Sequence, residues 1–192
     1  MRRRLGIDDD TLVLLIAAHN FRLKGVPELL RLTSQLVKAG RHVHTIVAGG
    51  QHSEPWRVAT MRLGISRQAT FLGSVADVVP YFAAADVYVH PTYYDPCSLV
   101  LLEAAASGLP IVTTRRFNGA AELFRDDEEM LTVDDPADAS GLFERVDALF
   151  NDRLRGTLSV AARRVALRNP LERNVAEIVR LYTGKAGRTV AA

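Results

Sequence analysis

Short, uninterrupted apolar runs recur along the chain, each closed by Gly or Pro and followed by a stretch with helical spacing. The first lies within Thr11–Ala18 (TLVLLIAA) and does not alternate, which predicts a strand buried on both faces. Gly25-Val26-Pro27 then opens a helix to about Lys38, with Pro27 early, where its missing N–H does no harm. Leu29, Leu30, Leu32, Leu36 and Val37 give that helix one apolar face, and Gly40 stops it. The unit repeats. His42–Ala48 reads as a strand, Gly49-Gly50 as a turn and Glu54–Leu63 as a helix ended by Gly64. A short strand at Thr70–Leu72, a helix at Val75–Ala84 and a strand at Val87–His90 follow. Ser98–Ala106 reads as a helix, Ile111–Thr113 as a strand, Leu131–Val133 as a short final strand and Ala137–Phe150 as a helix. Helices at about Asp152–Leu167 and Leu171–Tyr182 close the chain, and Gly184–Ala192 reads as a frayed end.

Strands alternating with helices predict an α/β domain: a Rossmann-like parallel sheet with helices on both faces. A length of 192 residues suits one such domain with its own core. Ligands of these sheets bind beyond the carboxyl ends of the strands, at a topological switch point. Chemistry is therefore expected in the loops Ala18–Gly25, Ala48–Ser53, Leu72–Val75, His90–Ser98 and Thr113–Ala120.

Composition narrows the partners. A net charge of +2 is too small to argue for nucleic acid, and none is expected. The clusters Arg2-Arg3-Arg4, Arg115-Arg116 and Arg163-Arg164 are either solvated faces or contacts for an anionic partner. Cys97 is the single cysteine, so an intrachain disulfide is excluded and a reducing compartment fits. No run reaches the roughly 18 apolar residues of a membrane span. Asp8-Asp9-Asp10 follows the arginine triplet where a signal peptide would have its apolar core, so a cytoplasmic domain is expected.

In the first loop, Arg22 and Lys24 stand beside Gly25 at a helix N-terminus, where free N–H groups and the helix dipole favour an anion. They are either surface cations or a phosphate site. Neither the Walker pattern nor a G-x-G-x-x-G fingerprint is present. Asp95-Pro96-Cys97-Ser98 leads into another helix, so the N–H groups of about Ser98, Leu99 and Val100 form a second candidate anion site. Ser98 is equally suited to capping that helix. Glu103 sits inside the greasy run LVLLEAAASG, and a buried carboxylate is costly unless something pairs with it. Its partner is either internal or a ligand, such as a vicinal diol. Asp95 and Glu103 do not suit a glycosidase pair: eight helical positions span about 12 Å against the roughly 5–9.5 Å required. No histidine or cysteine stands at metal-ligand spacing, so no metal site is expected. His19 and His90 read as packed or capping histidines, Tyr93-Tyr94 as packing, and Cys97 as a small residue in a tight turn rather than a nucleophile.

The stretch FLGSVADVVPYFAAADVYVHPTYYDPCSLVLLEAAASGLPIVTT resembles the signature of the group 1, or family four, retaining glycosyltransferases. Shared features are a helix ending AAD, a strand ending in Pro, an acidic residue, a Glu eight positions later and A-x-G-x-P-[IV]. Lys24-Gly25 and Gly49-Gly50 fall where that family places its phosphate-side lysine and second glycine loop, so the resemblance runs from about Leu12 to Tyr182. The HPTYYDP…VLLEA region is most similar to lipopolysaccharide core glucosyltransferases. The resemblance implies the C-terminal, nucleotide-sugar-binding half of a glycosyltransferase B-type fold, with an N-terminal acceptor domain absent from this chain. It implies that Lys24 and Arg22 bind the diphosphate, that Asp95 contacts the donor sugar and that Glu103 holds the ribose hydroxyls. Backbone at Cys97, Ser98, Leu99 and Val100 would cradle sugar and phosphate. Leu72 and Gly73 would line the base pocket, and Gly49 the second glycine loop. The donor implied is a nucleotide-diphosphate sugar, a UDP-sugar first, with no metal or other cofactor. The acceptor implied is a glycan or lipid-linked acceptor of lipopolysaccharide or other cell-surface glycan synthesis. Peripheral association of the full enzyme with the inner face of the cell membrane goes with it. Asp95 departs from the family's usual Glu by one methylene, and Ala48-Gly49-Gly50 stands where many members have G-x-G. A nucleotide-sugar epimerase of the same architecture and a noncatalytic α/β binding module are the competing readings. Isolated, the chain is expected to bind donor but transfer sugar negligibly.

Overall fold

The computed structural model describes residues 1–50 and 53–184. The frayed end expected after Gly184 lies outside the described residues, as do Gln51 and His52 of the second loop. Six parallel strands form one sheet: β1 (Leu12–Ala17), β2 (Val43–Ala48), β3 (Ala69–Gly73), β4 (Val87–His90), β5 (Ile111–Thr114) and β6 (Leu131–Val133). Their order is β3-β2-β1-β4-β5-β6, so the chain reverses its direction of travel across the sheet between β3 and β4. That places the switch point between β1 and β4.

The helices are α1 (Arg2–Leu5), α2 (Val26–Lys38), α3 (Glu54–Leu63), α4 (Val79–Phe82), α5 (Leu99–Ala106), α6 (Ala139–Asp147), α7 (Asp152–Arg168) and α8 (Leu171–Tyr182). Successive side chains of a strand point to opposite faces. Leu12, Leu14 and Ile16 accordingly join the layer with α2 and α6, whereas Val13 and Leu15 join the layer with α5 and α7. Both sets are buried, which is why the run carries no polar alternation. Each such Leu or Ile contributes about 1.5–3 kcal/mol by leaving water. Ala104 and Ala105 of α5 let Ala162 of α7 approach closely, and Ser159 Oγ donates to the Gly108 carbonyl at 2.6 Å to fix that contact.

Two helix expectations change. The helix expected at Val75–Ala84 is confined to Val79–Phe82, because the Asp77 carboxylate accepts the Val79 N–H at 3.0 Å and starts the helix there. The helix expected at Ala137–Phe150 begins at Ala139, capped by Asp138 on the Gly141 N–H at 2.9 Å, and ends in a 3-10 turn at Ala148–Phe150. A second 3-10 turn, Gly119–Leu123, and α1 carry no apolar periodicity long enough to read from sequence. Two arginine clusters are also partly structural. Arg2 donates to Asp86 at 2.6 Å and to the Ala84 carbonyl at 2.8 Å, and Arg115 pairs with Asp126.

Candidate functional site

The loop after β1 is a compact knot. The Phe21 carbonyl accepts the Val26 N–H at 2.9 Å, the Asn20 carbonyl accepts the Lys24 N–H at 3.0 Å, and the Phe21 ring is buried against Trp56 and Phe71. The knot pushes Arg22 and Leu23 outward at its tip, with Lys24 half-buried behind them. Its N–H groups answer the expectation of a helix-terminus anion site. The Val26 N–H is taken by Phe21 and Pro27 has none, and Glu28 stands in the first turn of α2. The α2 terminus is therefore a weak anion site, and the positive charge here belongs to Lys24 and Arg22.

The loop after β4 folds against this knot. The Leu23 carbonyl accepts from the Tyr93 N–H at 2.9 Å and from Thr92 Oγ1 at 3.1 Å. Tyr93 OH in turn donates to the Glu28 carboxylate at 3.1 Å, so Tyr93 is an anchor between loop and helix. Across this seam the Lys24 ammonium meets the Asp95 carboxylate at 2.8 Å and donates to the Tyr94 carbonyl at 3.1 Å. Asp95 is itself held by backbone: its N–H donates to the Phe117 carbonyl and its own carbonyl accepts from Gly119, each at 2.8 Å. Two residues expected from sequence to face one ligand are thus brought together from two separate loops.

Beneath them lies His90, 1% exposed at the end of β4. Its Nδ1 faces Ser98 Oγ at 3.5 Å and its Nε2 faces Asp95 Oδ2 at 3.7 Å. Burial pushes its pKa down to about 4; the Asp95 charge opposes that shift and the Lys24 charge adds to it. The ring is therefore a neutral imidazole at neutral pH. The sequence reading treated His90 as a packed histidine; its burial agrees, but its position against Asp95 has no signal in the sequence. Asn118 was missed as well. It is buried beside Asp95, with its Nδ2 donating to Thr113 Oγ1 at 3.0 Å.

The α5 terminus gives a partial answer. The Leu99 N–H is taken by the Cys97 carbonyl at 3.0 Å, while those of Ser98 and Val100 bond to no described residue. Ser98 is buried and supplies no side-chain cap, so its hydroxyl serves the His90 contact instead. Cys97 and Leu99 are exposed. Glu103 overturns an expectation: it is exposed, because the buried face of α5 is Leu101, Ala104 and Ala105, and Glu103 shares the open face with Leu99. The Tyr88 hydroxyl is pushed well up in pKa by burial first, with the charges of Asp95 and Glu103 adding, so both carboxylates bear on the end of β4.

Gly49 lies at the end of β2 with φ 93°, and a β-carbon there would stand 2.3 Å from the Ala18 carbonyl oxygen. Its N–H donates to the Gly73 carbonyl at 2.8 Å, which gathers Gly49, Gly73 and the half-buried Leu72 on the β3 side of the switch point. Exposed Leu23, Tyr94, Leu99 and Phe117 surround the whole area with apolar side chains. A concavity of about 410 Å³ opens at the opposite, amino end of the strands, among Asp8, Arg41, His42 and Gln68. Of its lining side chains, His42 meets Asp10 and Arg41 meets Asp147, each at 2.7 Å, and it lies at the end of the sheet away from where ligands of such folds bind. Among the described residues no group of three His, Cys, Asp or Glu side chains is placed to hold a metal ion. No helix of the described residues is long and apolar enough to cross a membrane.

Comparison with known proteins agrees with this architecture. The family described as "Glycosyl transferases group 1" matches residues 10–152. Lipopolysaccharide glucosyltransferase WaaG of Escherichia coli is 32% identical over 114 residues, 59% of this chain and 30% of that protein. A D-inositol 3-phosphate glycosyltransferase of Geodermatophilus obscurus is also 32% identical, over all of this chain and 44% of its own length. A crystal structure of WaaG superposes with a TM-score of 0.83 at 27% identity, covering 95% of this chain and 50% of that one. Anabaena HepE in complex with UDP-glucose shares the fold, with a TM-score of 0.81 at 22% identity over 93% of this chain and 50% of its own. So does the C-terminal domain of a group 1 protein, LpcC, from Francisella tularensis: TM-score 0.75, 19% identity, 87% of this chain and 89% of that one. The chain thus spans half or less of the full-length relatives it matches.

Proposed function

The chain belongs to the group 1 glycosyltransferases, and on that footing we propose that it is the donor-binding half of a retaining enzyme, working with an N-terminal acceptor domain. The observation that carries this reading is the meeting of Lys24 and Asp95 at the switch point, beside the unbonded N–H groups of Ser98 and Val100 and the exposed Glu103. The ligand is a nucleotide-diphosphate sugar, and the UDP-glucose held by HepE supports a uridine nucleotide.

When the C1–O bond to the diphosphate breaks, positive charge grows on the sugar ring and negative charge on the leaving group. Lys24, Arg22 and the N–H groups of Ser98 and Val100 lie on the side of the leaving group and would stabilise that charge without a metal. Asp95 faces the sugar from the other side. Glu103, whose carboxylate bonds to no described residue, offers two acceptor oxygens to the ribose diol. Cys97 and Leu99 line the open shelf, and Gly49, Leu72 and Gly73 receive the base. The exposed Leu23, Tyr94, Leu99 and Phe117 are what an acceptor domain would cover across a cleft.

The acceptor is a lipopolysaccharide core or another cell-surface glycan, supported by the WaaG match; the inositol-phosphate relative, equally identical, leaves acceptor choice to the other half. The full enzyme would act in the cytoplasm, peripherally at the inner face of the membrane. Calorimetric titration with UDP, GDP and ADP tests the donor reading, with Lys24→Ala and Glu103→Ala beside the parent chain. Saturable binding of one diphosphate, weakened by both substitutions, is expected. Binding that neither substitution alters would overturn it.

A further inference from the structure

The two side chains assigned to the donor are bound to each other. The Lys24 ammonium is 2.8 Å from Asp95 Oδ2, and the pair is largely enclosed, with side chains 21% and 14% exposed. A diphosphate competes with Asp95 for that ammonium. Once Lys24 turns to the phosphate, Asp95 is left as a mostly buried carboxylate without its counter-charge, which is a strong penalty unless another donor takes over.

One donor is already aimed at it. His90 Nε2 is buried, bonds to no described residue and lies 3.7 Å from the same Oδ2. The ring cannot turn away freely. The ring is buried, Tyr88 packs edge-on at 5.9 Å and Ser98 Oγ lies 3.5 Å from Nδ1. With a hydroxyl beside Nδ1 and a carboxylate beside Nε2, the neutral imidazole satisfies both neighbours only with its proton on Nε2 and Nδ1 accepting.

We propose that His90 is a positioning residue for Asp95: when the donor's diphosphate draws Lys24 away, His90 Nε2–H takes the Asp95 carboxylate and holds it toward the sugar. The exchange needs a movement of under about 1 Å, from 3.7 Å to an ordinary hydrogen bond near 2.9 Å. It needs no net charge on the ring. It also offsets the loss of the lysine, since Asp95 gains a hydrogen bond from His90 as Lys24 leaves. Lys24 and Asp95 are the charged groups that bear on His90. Of these, Lys24 disfavours a second proton on the ring and Asp95 favours it, and burial outweighs both, so the ring donates from Nε2 as a neutral imidazole.

This inference rests on the donor-binding reading and is tested so that the two fail differently. The chain is labelled with 15N in its imidazoles and titrated with UDP, GDP and ADP, while calorimetry gives affinities for the parent, His90→Gln, His90→Leu and Asp95→Ala, and for His90→Leu combined with Asp95→Ala. Expected are an Nε2–H tautomer before ligand and a downfield move of its proton on saturation. Affinity should drop about tenfold in His90→Leu, be largely restored in His90→Gln, which keeps a donor near the Nε2 position, and respond little to His90→Leu once Asp95 is gone. The signal of the parent chain needs no substitution, so it decides even if a variant does not fold. Saturable nucleotide binding with an unmoved His90 resonance, or an equal His90→Leu effect with and without Asp95, overturns this inference alone. Absence of binding by every diphosphate overturns it together with the donor reading.

Discussion

A β-carbon built on Gly25 would stand 2.0 Å from the carbonyl oxygen of Pro91 and 2.8 Å from its ring. The close approach of these two residues joins the end of the first loop to the start of the loop after β4, and it sets the spacing across which Lys24 reaches Asp95. Gly25 also has φ 77°, a conformation that costs any other residue.

Gly25→Ala should therefore do double damage. The left-handed backbone and the clash with a backbone carbonyl, which cannot swing aside as a side chain would, predict a loss of about 3 kcal/mol. The two loops should part, so Lys24 and Asp95 lose register and diphosphate affinity falls with stability. Urea unfolding of parent and variant gives the first number and calorimetry the second. A variant of parental stability would show that the loops are free to separate.

Asp86 makes the opposite case, a structural residue with no part in the site. Its carboxylate accepts from Arg2 at 2.6 Å and from the Val13 N–H at 2.7 Å, tying α1 to the amino ends of β1 and β4. Asp86→Ala leaves the Val13 N–H without a partner and the Arg2 guanidinium without its counter-charge, held only by the Ala84 and Thr11 carbonyls, and is expected to cost about 2 kcal/mol. Nucleotide affinity, measured at a temperature where both proteins are folded, should not change. A selective loss of affinity would mean that strain at the amino end of the sheet reaches its carboxyl end.

His90 gives stability a definite pH dependence. Its ordinary pKa of 6.5 falls to about 4 in the folded chain, chiefly through burial. Between those values the unfolded chain binds a proton at this residue and the folded chain does not, so protonation favours unfolding. Its contribution is intact at neutral pH and is lost progressively as the pH falls through that window, on the order of 3 kcal/mol in all. His90→Gln cannot titrate there. Denaturant unfolding from pH 7 to pH 4 should show the variant gaining on the parent as the solution is acidified. Parallel curves would mean that the imidazole is protonated in the fold.

The strands were legible because a sheet covered on both faces leaves no charged position: Leu12 to Ile16 and Val87 to His90 could be read without a structure. Family features were legible for a related reason, since Lys24, Asp95 and Glu103 sit at fixed offsets from those strand ends. Helix limits set by one side chain were not. Asp77 cuts short the expected Val75–Ala84 helix through a single hydrogen bond that no periodicity announces. The His90–Asp95 and Arg2–Asp86 contacts were equally silent, for they depend on how the turn after β4 folds back and on a partner 84 positions away. A histidine two positions after the buried Tyr88 on one strand was the available hint that its ring lies inside. Glu103 was misread for a physical reason: apolar neighbours in a run say how a helix looks on average, not which of its faces is covered.

That misreading sharpens the last prediction. A carboxylate buried in α5 would make Glu103→Ala a stability variant as well as a binding variant. Glu103 is exposed, and the packing of α5 rests on Leu101, Ala104 and Ala105, so Glu103→Ala should move unfolding by under about 0.5 kcal/mol. Its effect is expected on the contact with the ribose. Losing both bonds from a charged acceptor to a diol predicts a drop in nucleoside diphosphate affinity of about 10- to 100-fold. Inorganic pyrophosphate has no ribose, so its weaker binding should be unchanged by Glu103→Ala and nearly abolished by Lys24→Ala. Calorimetry with the two ligands against the two variants separates the roles. Equal loss of both ligands in Glu103→Ala would assign Glu103 to the shape of the phosphate site rather than to the sugar of the nucleotide.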